Sequence, residues 1–321
     1  MKVTLQPSGH VIELLPGERI IDAARRLGYD APQSCRNGNC HICAANLISG
    51  QVRQRDQLLR SGELFTCVAE PLEDCEVHWE GVLAPDELPL RRLACQLESA
   101  EPLGADVWRL RLRTPAGKPL RYHAGQYLLL QRNSEEMSAF SIASAPHQQR
   151  LLELHIQTRD PATRDLIEQI IRQRLVRIQA PFGDCHLAQL PQQPLLLLAA
   201  GTGMAQMQAL INHCLEQGFN QPIQLYWGVR QAADFYRIDD WQRWEDAGVQ
   251  LHRVVSDQPD WPGRQGLLAN AALADLGNLN EQAVIACGSP PMVYGTLDRL
   301  LQAGMRPEQM RSDVFSYAPR D

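Results

Sequence analysis

Hydrophobic and polar residues repeat with different periods along the chain, and the first change of period lies near residue 82. Before it, short alternating stretches such as VTLQP and HVIELL predict β-strands. In ERIIDAARRLG the apolar residues recur at helical spacing, which predicts a helix that ends at Gly28. Residues 1–82 therefore combine strands with a helix, and a proline-containing linker over residues 83–90 follows.

The second region, residues 91–190, has the two-residue period of half-buried strands. In VWRLRLR, Leu110 and Leu112 alternate with arginines, and GQYLLLQ, FSIAS and LLELHIQ are further strand candidates. One helix is predicted in TRDLIEQIIRQRL. Short strands at this spacing favour a small antiparallel barrel.

The third region, residues 191–321, repeats the order strand, glycine turn, helix. The apolar stretch PLLLLAA leads through GTG into a long helical stretch, and IQLYWGV, LHRVVS and AVIACG are further apolar strands. Alternating strands and helices predict a parallel sheet with helices on both faces.

Composition and charge narrow the class of protein. A length of 321 residues is too great for one compact core, and a net charge of −6 argues against non-specific nucleic-acid binding. The chain begins without an apolar leader, and its longest aliphatic run, residues 195–200, is too short to cross a bilayer. Nine unevenly spread cysteines disfavour a disulfide framework and favour a reducing compartment. We therefore expect a cytoplasmic protein without membrane insertion.

Three cysteines lie within nine residues, in the stretch CRNGNCHIC. Their spacing, C-x4-C-x2-C over Cys35, Cys40 and Cys43, together with a fourth cysteine at Cys67, is that of a plant-type [2Fe–2S] cluster. A glycine in the loop, Gly38, lets the backbone approach the inorganic sulfides. Structural zinc and free thiols are the alternatives, but zinc sites usually contain two C-x2-C pairs.

A one-electron centre and a dinucleotide-type sheet in one chain raise a problem of electron counting. Nicotinamides deliver two electrons together as hydride, whereas a [2Fe–2S] cluster accepts one electron at a time. A flavin accepts two electrons and releases them singly. We therefore expect the middle region to bind a flavin.

The three regions, in this order, resemble the ferredoxin–NAD(P) reductase superfamily in its fused form, with an N-terminal ferredoxin domain. The resemblance implies a multidomain α+β, β and α/β fold. Its parts would be a β-grasp ferredoxin domain (1–82), an antiparallel Greek-key β-barrel that binds FAD rather than FMN (91–190), and a doubly wound parallel-sheet domain for NADH or NADPH (191–321).

The resemblance leaves two candidates for the fourth cluster ligand, Cys67 and Cys75. The context of Cys67, L-x-x-C-x-A-x-P-L, resembles the segment around the family's fourth cysteine, and an apolar strand leads into it. The interval from Cys43 is shorter than the family usually shows, and Cys75 would restore a longer one. We favour Cys67.

In the middle region the resemblance rests on GQYLLL and SAFSIAS. It implies that Phe140 packs on the flavin, that Ser141 forms a hydrogen bond near N5, and that His155 and Gln157 border the polar edge of the ring. An ordinary buried strand is the alternative for SAFSIAS.

Position 138 departs from the family, because Ser138 stands where an arginine normally binds the flavin phosphate. An arginine–phosphate fork is a strong charge-assisted pair, so its loss predicts weaker flavin retention. The glycine-rich phosphate segment is also replaced, by QTRDPATRD. Thr163 and Arg164, near the start of the predicted helix, could partly compensate.

In the third region, Gly201, Thr202 and Gly203 join a strand to a helix and present backbone N–H groups to a pyrophosphate. A lone G-x-G is a weak signal. The segment ACGSPPMV is similar to the family's C-G-P-P-x-M, which implies that Cys287 lies beside the reactive carbon of the nicotinamide. A structural buried cysteine is the alternative.

Three further residues of that segment, Gly288, Pro290 and Met292, are implied to bind the same dinucleotide. The resemblance also places an aromatic residue near the chain end over the flavin, for which Phe315 fits best and Tyr317 second. A free C-terminal tail is the alternative there. Arg230 or Arg237 could meet a 2′-phosphate, although NADH is the favoured donor.

The resemblance implies an oxidoreductase in which Ser141, Cys287 and Phe315 lie at the reacting centre. Electrons would pass from NAD(P)H through flavin to the cluster, and then to a partner such as an oxygenase, hydroxylase or dehydratase component. Two alternatives stay open at this point: an NAD(P)H:flavin reductase that uses free flavin as substrate, and a non-catalytic redox-sensing protein of the same fold.

The assignment of the fourth ligand gives a first prediction. A Cys67→Ser variant is expected to lose the [2Fe–2S] cluster, because two irons need four thiolates, whereas Cys75→Ser is expected to keep it. Iron and acid-labile sulfide per chain, with the visible absorption spectrum, measure the outcome. A full cluster in Cys67→Ser together with its loss in Cys75→Ser would reverse the assignment.

Overall fold

The structure, a computed structural model, describes residues 1–85, 87–116, 120–133, 136–148, 150–276, 279 and 281–320. The chain divides into two compact units, residues 1–88 and 89–321. The division lies inside the predicted linker, whereas the predicted boundaries at 82 and 190 stay predictions. No helix of the described ranges is both long and apolar enough to span a membrane.

The first unit is a mixed sheet with one helix packed against it. Its elements in the described residues are β1 (Lys2–Gln6), β2 (His10–Glu13), α1 (Ile20–Arg26), β3 (Ala44–Ser49), β4 (Val52–Gln54), β5 (Gln57–Leu59), β6 (Gly62–Phe65), β7 (Ala69–Pro71) and β8 (Cys75–His78). Five strands are ordered β2–β1–β8–β3–β6, with β1 and β8 parallel, and a second sheet is ordered β5–β4–β7. The predicted helix is confirmed as α1, whose Ile20, Ile21 and Ala24 are buried in one core with Val3 and Leu5 of β1.

The first half of the second unit is an antiparallel sheet with one helix. It comprises β9 (Arg91–Gly104), β10 (Val107–Arg113), β11 (Tyr127–Gln131), β12 (Met137–Ser141), β13 (Leu151–Gln157), α2 (Pro161–Gln173) and β14 (Leu175–Phe182). The strand order is β12–β11–β14–β9–β10–β13. Leu110 and Leu112 of β10 are fully buried, as their alternation predicts, and Leu166, Ile167 and Ile170 of α2 pack into the same core.

The two edge strands of this sheet approach each other beyond the end of β12. The Ala143 N–H donates a 2.7 Å hydrogen bond to the Glu153 carbonyl oxygen of β13. The predicted strand FSIAS is therefore shifted, since β12 ends at Ser141 and the next residues bridge to β13.

The second half is a parallel sheet with helices on both faces. Its elements are β15 (Leu195–Ala200), α3 (Met204–Glu216), β16 (Ile223–Val229), α4 (Trp241–Asp246), β17 (Gln250–Val255), β18 (Arg264–Gln265), α5 (Leu268–Asp275), β19 (Ala283–Cys287), α6 (Pro290–Gln302), β20 (Met310–Arg311) and α7 (Val314–Tyr317). The strand order is β18–β17–β16–β15–β19–β20, and each neighbouring pair is parallel.

Alternation along β15 shows why this sheet is covered on both sides. Leu195 and Leu197 belong to the core that contains α3, whereas Leu196 and Leu198 belong to the core that contains α5 and α6. A strand buried on both faces appears in the sequence as a continuous apolar run, here LLLL.

A buried carboxylate connects the two halves of the second unit. Glu153 of β13 accepts hydrogen bonds from Gln208 of α3 (2.8 Å) and from Arg111 of β10 (2.9 Å), and it contacts the His155 ring (3.1 Å). The other ring nitrogen of His155 lies 3.1 Å from the Tyr236 hydroxyl oxygen. Burial would raise the pKa of Glu153, but these partners outweigh burial and hold it at about 2.

Candidate functional site

The cysteine loop lies between α1 and β3, and its three thiols form two pairs with that of Cys67, which lies between β6 and β7. The Cys43 and Cys67 sulfurs are 3.2 Å apart and buried, although 24 residues separate them in sequence. In the other pair, the Cys40 N–H donates to the Cys35 sulfur at 3.4 Å. Two pairs of thiols suit a centre of two irons, because each pair could bind one iron.

Backbone N–H groups of the loop point at the sulfurs. The N–H groups of Asn37, Asn39 and Cys40 are directed at Cys35, and with the Cys40 thiol they lower its pKa to about 6. The Gly38 N–H is directed at Cys67, whose pKa burial nevertheless raises to about 11. An array of N–H groups around sulfur stabilises the negative charge that thiolates and inorganic sulfide carry.

The loop adopts backbone conformations that most residues avoid. Gly38 has φ +77°, and the non-glycine residues Arg36 and His41 both have φ +59°. A Cβ atom on Gly38 would lie 3.1 Å from the Val68 side chain. Left-handed residues concentrate at functional sites, where the surrounding structure holds them in place.

Cys75 lies apart from this group. It is in β8, where its thiol contacts the backbone oxygens of Glu73 and Gln51. Among the described residues, no three His, Cys, Asp or Glu side chains are arranged to hold a single metal ion.

The second unit contains a cavity of about 420 Å³ between its two halves, which we call the cleft cavity. It is lined by Tyr127, Leu129, Ala139, Phe140, Ser141, Gln206, Cys287, Gly288, Ser312, Asp313, Val314 and Tyr317. Its volume lies in the range of small-molecule sites, and its wall combines aromatic rings with a few polar groups.

Cys287, at the end of β19, stays a neutral thiol. Burial raises its pKa to about 12, against a lowering hydrogen bond with Ser141. Burial also raises the pKa of the neighbouring Asp313, which accepts hydrogen bonds from the Cys185 N–H (3.0 Å) and from Gln206 (3.2 Å). Of the predicted residues, Phe140, Ser141, Cys287 and Gly288 are thus brought to one cavity.

A second cavity, of about 310 Å³, lies at the carboxyl ends of β15, β16 and β17, and we call it the switch-point cavity. Its lining is Val107, Gln157, Arg159, Ala200, Gly201, Thr202, Gly228, Val229, Arg230, Asp234, Tyr236, Ser256, Gly266, Leu267, Leu268, Ser289 and Met292. In open α/β sheets, ligands bind at this edge, where the strand order reverses. The reversal here is between β15 and β19, which precede Gly201 and Ser289.

The two cavities meet where β15 and β19 end. A Cβ atom on Gly203 would lie 2.4 Å from the Cys287 carbonyl oxygen, and one on Gly288 would lie 2.9 Å from the Ala200 Cβ. Both positions therefore need glycine for space rather than for an unusual φ.

Several predicted residues lie elsewhere. Ser138 does not line either cavity, and His155 is buried between Glu153 and Tyr236 rather than at a cavity wall. Gln157 lines the switch-point cavity instead of the cleft cavity. Pro290 begins α6 and lines neither, whereas Met292, two residues further, lines the switch-point cavity.

The start of α2 already carries an anion. The Asp160 carboxylate accepts hydrogen bonds of 3.0 Å from both the N–H and the hydroxyl of Thr163. A carboxylate N-cap satisfies the groups that a flavin phosphate would use, and it repels a second negative charge. The predicted compensation by Thr163 for the missing arginine is therefore unsupported by the local geometry.

The C-terminal aromatics are placed differently from the sequence expectation. Phe315 packs against Tyr294, with ring centroids 5.6 Å apart, and is not in the lining of the cleft cavity. Tyr317 is in that lining. Sequence reasoning missed Tyr127, Gln206 and Asp313; the polar Gln206 within the apolar run MAQMQALI was an available signal.

Comparisons with known proteins agree with this three-part arrangement. Three family models match: a 2Fe-2S iron-sulfur cluster binding domain over residues 3–72, an oxidoreductase FAD-binding domain over 94–187 and an oxidoreductase NAD-binding domain over 197–298.

Similar curated proteins span nearly the whole chain. Reductase component 2 of terephthalate 1,2-dioxygenase from Comamonas sp. is 28% identical, over 95% of this chain and 94% of that protein. The CDP-6-deoxy-L-threo-D-glycero-4-hexulose-3-dehydrase reductase of Yersinia pestis is 28% identical, over 98% of each. Among solved structures, the Amycolatopsis cytochrome P450 reductase GcoB matches with a TM-score of 0.61 and 26% identity, over 97% of this chain and 98% of that one.

A second structure shows likeness of fold alone. The ferredoxin reductase of carbazole 1,9a-dioxygenase has a TM-score of 0.62 at 20% identity, over 97% of each chain.

The close approach at Gly203 gives the second prediction. Gly203→Ala is expected to destabilise the second unit by about 1–3 kcal/mol, because its methyl group overlaps the Cys287 carbonyl. Gly295→Ala is the control: it lies in α6 with open space around it and is expected to stabilise by about 0.5–1 kcal/mol. Urea unfolding followed by tryptophan fluorescence measures both, since five of the six tryptophans lie in residues 89–321. A Gly203→Ala protein as stable as the wild type would contradict the expectation.

Proposed function

We propose that this chain, which belongs to the ferredoxin–NAD(P) reductase superfamily with an N-terminal [2Fe–2S] domain, is a reductase that passes electrons from NAD(P)H to a separate acceptor protein. Bound flavin and cluster supply the redox chemistry, in which a two-electron donor is matched to a one-electron carrier. The chain supplies binding, orientation and exclusion of water.

One observation carries this proposal: β15 and β19 pair in parallel up to Ala199 and Cys287, and the turn after β15 packs closely against the Cys287 carbonyl at Gly203. Cys287 lines the cleft cavity, while Gly201 and Ser289 line the switch-point cavity. A flavin ring in the cleft cavity and a dinucleotide in the switch-point cavity would therefore meet at Cys287. Its neutral thiol would add no charge at the point where the two bound groups would meet.

In the cleft cavity, Phe140 and Tyr127 offer aromatic surface from the antiparallel sheet, and Tyr317 offers it from the chain end. Flat rings of this kind pack on a flavin. Ser141 supplies a hydroxyl beside Cys287, and we assign it the hydrogen bond near N5. The sequence suggested Phe315 as the C-terminal aromatic residue over the flavin, and we assign this role to Tyr317 instead.

The dinucleotide would lie along the ends of the parallel strands. Gly201 to Gly203 form a tight turn directly before α3, and the N-terminus of a thirteen-residue helix favours a pyrophosphate. Thr202 adds a hydroxyl to this turn, and Ser289 and Met292 line the opposite side of the same cavity.

In the first unit, Cys35, Cys40, Cys43 and Cys67 would hold the cluster. All nine cysteines of the chain are free thiols in the structure, which fits a reducing compartment such as the cytoplasm. We also propose that the six antiparallel strands close as a Greek-key barrel, supported by the Ala143 to Glu153 hydrogen bond between its edges.

The acceptor is proposed by class. The curated relatives are reductase components that serve dioxygenases or a dehydrase. We propose that the acceptor of this chain is likewise an oxygenase, hydroxylase or dehydratase component.

A second function has specific support. Position 138 is a serine where the family has a phosphate-binding arginine, and the Asp160 carboxylate caps the N-terminus of α2. Both features favour weak flavin binding, so the chain could act as an NAD(P)H:flavin reductase with flavin as a diffusing substrate. Gel filtration separates the two functions, because a resident flavin elutes with the protein and a substrate flavin does not.

The third prediction tests electron exit through the cluster. A full-chain Cys40→Ser variant is expected to lose NADH-driven reduction of cytochrome c, because that acceptor takes single electrons from the cluster. It is expected to keep reduction of ferricyanide, which can accept electrons from the flavin. Cys95→Ala, which removes a buried thiol outside the loop, is the control and should keep both activities. Undiminished cytochrome c reduction by Cys40→Ser would contradict the proposed route.

A further inference from the structure

The serine at position 138 leaves the phosphate end of a flavin without an arginine, and Asp160 already caps the start of α2. A phosphate monoester carries about two negative charges at neutral pH and needs donors or positive charge around it. Two other arginines of the antiparallel sheet, Arg92 and Arg177, lie together in a cavity beside the cleft cavity.

This third cavity has a volume of about 560 Å³, and we call it the arginine cavity. It lies on strands β9, β11, β12 and β14, and its wall includes Arg92, Gln131, Met137, Arg177 and Gln179. Two guanidiniums and two side-chain amides supply N–H donors at this wall. The chemistry of the wall therefore suits an anion.

Arg92 and Arg177 lie on neighbouring strands and share one face of the sheet. In the pairing of β14 with β9, Gln179 is opposite Arg92, and Arg177 is opposite Ala94. Opposite residues share a face, as do residues two apart in one strand, so the two arginines are diagonal neighbours. Both are exposed, whereas the residues that alternate with them are buried in the core.

Neither Arg92 nor Arg177 has a side-chain hydrogen bond or ion pair with another residue of the described ranges. By contrast, three arginines of β10 in the same sheet are each paired with a carboxylate, namely Arg109, Arg111 and Arg113. Like charges on neighbouring strands repel each other. An anion bound between the two free guanidiniums would remove that repulsion.

The arginine cavity adjoins the cleft cavity along two strands. Leu129 and Ala139 line the cleft cavity, and Gln131 and Met137, two residues away on the same strands, line the arginine cavity. Two residues span about 7 Å of a strand and share a face. Leu129 is also directly opposite Gln179 of the arginine wall. One face of the sheet therefore runs through both cavities.

The hydrogen bond that we assign to Ser141 determines which end of a flavin would face the arginine cavity. N5 and N10 are on opposite sides of the central flavin ring, and N10 carries the ribityl chain that ends in the phosphate. The cleft cavity extends from Ser141 and Cys287 to Leu129 and Ala139. With N5 at Ser141, the ribityl chain would leave the cleft cavity at the end that adjoins the arginines.

We propose that Arg92 and Arg177 form the flavin-phosphate site of this chain, on the exposed face of the antiparallel sheet and apart from position 138 and the start of α2. This inference rests on the proposed function, because its ligand is the flavin of that function. FAD carries two phosphates in series, and each guanidinium can bind one of them. Because both arginines are exposed, they bind a phosphate less firmly than a buried pair would.

The test uses the full chain, freed of flavin, and measures the Kd values of riboflavin, FMN and FAD by equilibrium dialysis. Riboflavin and FMN differ only by the phosphate. We expect the wild type to bind FMN at least tenfold more tightly than riboflavin. Arg92→Gln and Arg177→Gln should each weaken the binding of FMN and FAD about five- to tenfold, the size of one exposed charge-assisted hydrogen bond, and leave riboflavin unchanged. The double variant should bind FMN no more tightly than riboflavin.

Two further variants control the test. Arg172→Gln removes an exposed arginine near the end of α2, outside the arginine cavity, and should keep the wild-type Kd values. Asp160→Asn removes the negative charge at the start of α2 while keeping a side chain that can cap the helix. It should change the Kd of FMN less than twofold, because the phosphate lies elsewhere.

Equal Kd values of FMN and riboflavin in the wild type would overturn the inference, as would a preference for FMN that survives in the double variant. Tighter binding of FMN by Asp160→Asn, without loss in the arginine variants, would place the phosphate at α2 instead. Flavin that binds as expected but is not reduced by NADH would contradict the proposed function and leave the phosphate site standing. A chain that binds none of the three flavins would overturn both.

Discussion

The missing side chain at Gly203 is the constraint on which the arrangement of the second unit depends. Any Cβ there would lie 2.4 Å from the Cys287 carbonyl oxygen, so the turn after β15 could not approach the end of β19. That approach places a neutral thiol and a row of backbone N–H groups at the carboxyl edge of one sheet. The ends of β15 and β19 thereby lie between the cleft cavity and the switch-point cavity. Ligands bound in the two cavities would be close together, as transfer of hydride requires.

Two ionisable side chains of the second unit are each held in one protonation state. Desolvation raises the pKa of Cys287 to about 12, so this half-buried thiol stays protonated, and Glu153 remains ionised because Gln208, Arg111 and His155 surround it. The first of these keeps charge away from the meeting point of the cavities. The second fastens the antiparallel sheet to α3 and, through His155, reaches Tyr236 at the switch-point cavity.

Sequence patterns predicted the parts whose signal is local. The alternation of Leu110 and Leu112 with arginines, the apolar run of β15 and the helical spacing in α1 each reflect one element and its burial. The cysteine spacing likewise predicted three ligands and the context of Cys67 suggested the fourth, and the fold brings the Cys67 sulfur to 3.2 Å from that of Cys43. The position of Phe315 was less predictable, because a ring in a terminal helix can face either of two cores.

Other features depend on contacts that are distant in sequence. The hydrogen bond from the Thr163 hydroxyl to Asp160 is local in sequence. It matters for flavin binding only because position 138 is a serine and not the arginine that would bind the flavin phosphate. Asp313 and Gln206 are 107 residues apart and meet through the packing of α3 against the chain end. The pairing of Arg230 with Asp257 joins the ends of two neighbouring strands, which no spacing rule predicts.

The central claim is that electrons from a nicotinamide reach a two-iron centre held by the cysteine loop. Its most direct test is an electron paramagnetic resonance spectrum of anaerobically purified full-length protein, supplied with FAD, recorded before and after addition of NADH. The account predicts no cluster signal before addition and the signal of a reduced [2Fe–2S] cluster afterwards. Protein that contains zinc or no metal, or an iron–sulfur cluster that NADH fails to reduce, would contradict it.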